Sequence, residues 1–147
     1  LALKHAHGGS RQELLESRIR RGVEMLYDRI CPGGGWNAGN GVVYGAPLAP
    51  HPDATGVALL ALLGEPLNDF ITASLDWLER RAESLLAPWS LAWAILALHA
   101  FHRPTEPRID CLCAFFQAAQ IKDCATLAVA CLALRCAGDR NVFGVNA

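Results

Sequence analysis

Charge is scarce in this sequence, and so are β-branched residues and recognisable catalytic signatures. Only 18% of its 147 residues are Asp, Glu, Lys or Arg, against about a quarter in an ordinary soluble domain. The 13 basic and 14 acidic side chains nearly cancel, to a net charge of −1. A broad cationic footprint is absent, so no nucleic-acid partner is expected. Val and Ile number 13 together, whereas Ala and Leu number 24 and 22. Ala and Leu lose little conformational freedom in helices, while β-branched residues favour strands. The expected class is therefore all-α. No GxSxG, HExxH, Walker or GxGxxG pattern occurs, and no CxxC pair. Gly33 to Trp36 has no following Lys and helix, so a phosphate cradle is unsupported. What is abundant is apolar surface: 52% of residues are hydrophobic, which excludes a disordered chain. The length suits one domain.

Residues 84 to 102 hold no Asp, Glu, Lys or Arg. Pro88 and Ser90 interrupt that run and His99 and His102 end it, so it is read as a buried helix and not as a transmembrane span. Leu1 stands where an initiator Met would, and the expectation is a processed chain or a fragment. Leu1 to Leu3 is too short for a signal-peptide core. The cysteines are Cys31, Cys111, Cys113, Cys124, Cys131 and Cys136. Cys111, Cys124, Cys131 and Cys136 fall among Leu and Ala, as buried core thiols do in a reducing compartment, and a cytoplasmic location is expected.

An internal repeat organises the chain. Ala58 to Leu63 reads ALLALL, Ala94 to His99 reads AILALH, and Ala130 to Arg135 reads ACLALR. Both offsets are 36 residues, a period that signals stacked supersecondary units unable to bury their apolar faces alone. Each copy follows another helical pattern. Ser10 and Glu13 form a capping box, and Leu15, Ile19, Val23, Leu26 and Ile30 then share one face. Asp53 is placed to cap a second helix that runs to Gly64. Asn68 caps a third. Pro88 suits the first turn of a fourth, which stops before Pro104. Thr105 and Pro107 open a fifth, reaching about Gln120. Asp123 caps a sixth, with Gly138 after it. Three α-hairpins result, with charged first helices outside and apolar second helices inside. The repeat domain is taken as 10–138, with tails at 1–9 and 139–147.

Arg21, Gly22, Leu26, Gly34 and Trp36 resemble in spacing the QW motif of squalene–hopene cyclases and related terpenoid cyclases. Met25 replaces the motif's aromatic residue and Ile30 its Gln. The resemblance implies the α/α toroid shared with protein prenyltransferase β-subunits, here as a partial toroid of three hairpins. His51, Asp53, Ala54 and Thr55 are similar to the cyclases' Asp-x-Asp-Asp-Thr motif. That likeness implies Asp53 as proton donor, with His51 at the place of the first Asp. The other reading of Asp53 is the helix cap. Asp110 resembles the zinc-binding Asp of the prenyltransferases. Leu112 and Ala125 stand where their zinc Cys and His belong, so no metal and no cofactor is expected. His99 and His102 read as groups meeting a helix C-terminal dipole.

The segment from Pro32 to Pro52 is long for a hairpin connection. It either braces neighbouring repeats or contacts a ligand through Trp36 and Tyr44. Trp89, Trp93, Phe115 and Phe116, with Trp77, belong to the core or line an apolar pocket, where aromatic faces would stabilise a carbocation. A closed ring of six such units would need about 216 residues. Three leave apolar helices uncovered, so a partner is expected: a second copy, or a further domain completing the toroid. The functional expectation is a pocket for an isoprenoid or similar hydrophobic small molecule, with a cyclase-like reaction if the chain is active. The alternative is a non-catalytic helical scaffold for protein–protein interaction.

Overall fold

The computed structural model describes residues 12–84 and 87–136. They are mostly helical, as composition requires: α1 (Gln12–Asp28), α2 (Pro52–Ala61), α3 (Asp69–Ala82), α4 (Pro88–Ala100), α5 (Glu106–Gln117) and α6 (Cys124–Cys136). A two-residue ribbon interrupts the helices, with β1 (Val42–Val43) antiparallel to β2 (Ala46–Pro47). No helix among the described residues is long and apolar enough to cross a membrane. Ser10, Gly138 and both expected tails lie outside the described residues.

Two helix caps form where the sequence places them. Asn68 accepts from the Ile71 N–H at 3.0 Å, and Asp123 accepts from the Thr126 N–H at 2.8 Å. Asp53 does not cap α2. His51 occupies the N-cap without a side-chain bond, because Pro52 takes the first helical position, where a missing N–H costs nothing. That leaves Asp53 inside the first turn. Two helices also end early. α2 stops at Ala61, where a turn carries the chain through Gly64 at φ 82°. α5 stops at Gln117, with Ala119 at φ 52°.

The apolar helices α2, α4 and α6 lie side by side, in that order. α3 sits against α2 and α4, and α5 against α4 and α6. Seven residues of α4 are completely buried or nearly so: Leu91, Ala92 and the run from Ala94 to Leu98. A helix covered on every side needs apolar residues all round, and α4 has them. Gly56 makes the α2–α4 approach possible. A Cβ there would stand 2.7 Å from the Trp93 carbonyl oxygen, closer than any side chain tolerates.

The outer helices are amphipathic. α3 turns Ile71, Leu75, Leu78 and Ala82 inward. Asp76 and Glu79 stay near the surface, where both meet Arg103, at 2.8 and 3.2 Å. Arg108 of α5 is buried, and its guanidinium donates to the carbonyls of Pro104 and Glu79 at 3.0 and 2.7 Å. It clips α5 to the end of α3.

The late cysteines correct the core-thiol expectation. Cys136 is buried, but Cys111, Cys124 and Cys131 are exposed. For Cys124 and Cys131 the physical reason is the edge of the stack: α6 packs on α4 with one face, and among the described residues no apolar helix lies against the opposite face. Cys111 lies on the outer helix α5.

Candidate functional site

The loop between α1 and α2 is built around Trp36, which is only 3% exposed. Its indole N–H donates to the Leu26 carbonyl at the end of α1, at 2.7 Å. Its backbone N–H donates to Thr55 Oγ1 at 2.9 Å, and the Thr55 hydroxyl returns a bond to the Trp36 carbonyl at 3.1 Å. That carbonyl also accepts from the His51 N–H at 2.7 Å. One residue earlier, the Gly35 N–H donates to Ser74 Oγ of α3 at 2.8 Å. Gly34 (φ 100°) lies so near α3 that a Cβ would come within 2.9 Å of the Ala73 and Ser74 backbone. The loop therefore braces α1, α2 and α3 through buried, paired polar groups, the arrangement that makes such bonds rigid.

Bracing leaves a cleft walled by α1, the Trp36 loop, α2 and α4. Its volume is about 370 Å³. α2 contributes Asp53, Val57 and Ala61; α4 contributes Trp89 and Trp93; Met25 of α1, Arg29 just beyond its end and the Trp36–Gly39 segment complete the wall. The 36-residue period sets Asp53 beside Trp89 and Val57 beside Trp93, one helix over. Asp53 Oδ2 accepts from Trp89 Nε1 at 3.2 Å. The Trp89 and Trp93 rings meet edge to face, 5.8 Å apart at 78°, a favoured aromatic geometry. Trp93 Nε1 is buried with no acceptor among the described residues.

The structure brings together four of the sequence-derived site residues: Trp36, Asp53, Trp89 and Trp93. It does not bring the others. Tyr44 is fully exposed at the ribbon turn. His51 is exposed at the N-cap of α2 and does not line the cleft. Phe115 and Phe116 pack half-buried on the outer helix α5, away from the cleft. A protonating Asp needs a neighbouring carboxyl or His to keep its proton, and among the described residues the cleft around Asp53 is walled by neither. Among the described residues no three His, Cys, Asp or Glu side chains converge on a point. Leu112, at the expected zinc Cys position, is completely buried.

Sequence reasoning missed Met25, Arg29, Asn37 and Val57 as wall residues. A signal existed for Val57, which stands 36 residues before Trp93. Arg29 carried none, since a lone cation at the end of an amphipathic helix is ordinarily solvated.

A smaller cleft of about 240 Å³ lies between α3 and α5, walled by Glu83, Pro107, Arg108 and Cys111. Its Arg108 is committed to the clip described above. Compared with known proteins, the chain matches no family model, no curated protein and no solved structure.

Proposed function

We propose that this chain is an α/α-repeat domain of the terpenoid-cyclase type, an open section of a toroid, and that its cleft holds an isoprenoid or similar hydrophobic chain. The carrying observation is the cleft itself. It falls within the roughly 300–1,000 Å³ of small-molecule sites and has their composition, an apolar wall with few polar groups. Trp36, Met25, Val57 and the Trp89–Trp93 pair supply the apolar surface, and Asp53, Arg29 and Asn37 the polar points. Asp53 serves in binding: tied to the Trp89 indole, it fixes the aromatic pair and offers its carboxylate to a hydroxyl at the head of the ligand.

The test is a fluorescence titration with geraniol, farnesol and geranylgeraniol. Trp36, Trp89 and Trp93 report directly, because they form the wall. Saturable quenching is expected, weakened about tenfold or more by Trp93→Ala through lost apolar contact. Linear, non-saturating quenching that Trp93→Ala leaves unchanged would refute the reading. The scaffold reading has one observation in its favour, the uncovered face of α6.

A further inference from the structure

The three apolar helices share a register, and burial shows how they stack. In α2, Thr55, Gly56, Leu59 and Leu60 are buried; in α4 so are Leu91, Ala92, Ile95 and Leu96. Their counterparts 36 residues later, Leu127, Ala128, Cys131 and Leu132, are all exposed. Leu127 and Leu132 are 44% and 39% exposed. α6 thus presents to solvent the face that α2 and α4 bury.

Position along this face follows helical spacing. Cys124, Ala128, Cys131 and Arg135 form a central line at steps of four, three and four residues, the spacing of a helix–helix seam. Leu127 and Leu132 flank it on opposite sides. The pattern reads the same from either end about a point between Val129 and Ala130. We infer that the open face of α6 is a docking surface for a second copy of this chain, the two α6 helices running antiparallel about a two-fold axis at that point. Ala128 then comes level with the partner subunit's Cys131, and Leu127 level with the partner subunit's Leu132. Small residues at the centre let the helices approach closely, and the leucines close the seam on both sides.

Charge agrees with this orientation. Arg135 has no ion-pair partner among the described residues. In the antiparallel pair it reaches the N-terminus of the partner subunit's α6, where the partner subunit's Asp123 carries a carboxylate. The opposing arrangement, α6 of one copy on α2 of the next, would set α6 against the cleft that Met25, Leu26 and Trp36 wall beside α2, which offers no matching apolar seam. A two-fold contact is also closed and self-limiting. The inference does not depend on what the cleft binds.

Sedimentation equilibrium in reducing buffer tests it. The natural sequence is expected to be a dimer. Leu132→Asp is expected to weaken the dimer at least about tenfold while helix content by circular dichroism stays unchanged, since Leu132 lies outside the buried core. Ala128→Cys, mildly oxidised and digested, is expected to yield an intersubunit disulfide between the new thiol and Cys131, mapped by mass spectrometry. A monomer at every concentration, a dimer indifferent to Leu132→Asp, or open-ended oligomers would each overturn the proposal.

Discussion

α4 and α6 are the same helix in two situations. Each has 13 residues, and the two begin 36 apart. Their hydrophobic patterns are close: AILALH in one, ACLALR in the other. Yet Leu96 is fully buried and Leu132 is not. Among the described residues α4 lies between two apolar helices, α6 beside one. In a stacked array burial belongs to the place in the stack, because each unit contacts only its neighbours. The leading end shows the contrast from the other side. There α2 also lacks a second apolar helix beside it among the described residues, but α1 and the Trp36 loop wall a cleft against it.

The sharpest way to break the α4–α6 comparison is to remove the same side chain from both. Leu96→Ala is expected to cost about 2–5 kcal/mol, the range for a cavity in a covered core. Leu132→Ala, measured in dilute monomer, is expected to stay within about 0.5 kcal/mol, as at other exposed positions. Urea unfolding at matched concentration gives both numbers. Equal losses would mean that α6 is covered in solution by the same molecule.

Thr55 sharpens the leading-end half of the contrast. Its place in α4 is taken by Leu91 and in α6 by Leu127, so a Leu or Val would suit the repeat equally well. Thr is needed because its hydroxyl pairs both the N–H and the carbonyl of Trp36. Thr55→Val keeps the shape and orphans a buried N–H, at an expected cost of about 1–3 kcal/mol. The emission of Trp36 is expected to shift toward that of a solvated indole. Unchanged stability and emission would show that the brace is dispensable.

Much of this architecture was legible in the sequence. The period located the three apolar helices, and Asn68 and Asp123 marked their own caps. The same period contains the Asp53–Trp89 contact, since the two residues occupy one register on adjacent helices. Other features were hidden for physical reasons. Hydropathy records what a helix is able to bury and is silent about whether a neighbour exists, so the exposure of Cys124 and Cys131 could not be read from it. Pro52 shifted the start of α2 and took Asp53 off the cap. The ribbon escaped notice because its turn is Tyr44–Gly45, with φ 51° and 79°. Asn–Gly is the usual signal for two positive φ values, and a Tyr in the first place conceals it. Tyr44, Phe115 and Phe116 were grouped with the site on aromatic character alone. Their positions, a ribbon tip and an outer helix, depend on tertiary placement.

A smaller effect than either buried loss is expected from the two caps, and it separates the middle of the array from its edge. Asn68 begins α3 as a neutral cap and also donates to the Tyr27 hydroxyl at 2.8 Å. Asn68→Ala is expected to cost about 0.5–2 kcal/mol at any pH, the usual loss for a cap. Asp123 begins α6 as an ionised one. The Thr126 N–H and hydroxyl, bonding to its carboxylate, lower its pKa from the ordinary Asp value. A depressed folded-state pKa means that the native protein holds its proton less tightly than the unfolded chain. Its contribution is fully present above the unfolded pKa of about 4 and fades as pH falls through the lower, folded value. Asp123→Asn is therefore expected to leave a cap whose strength no longer varies with pH, so the variant and the natural sequence converge in stability as the solution is acidified below about pH 4. Thermal melts from pH 7 downward follow the difference. A constant gap across that range would mean that α6 is held by packing on α4 alone, with the charge at its first turn immaterial.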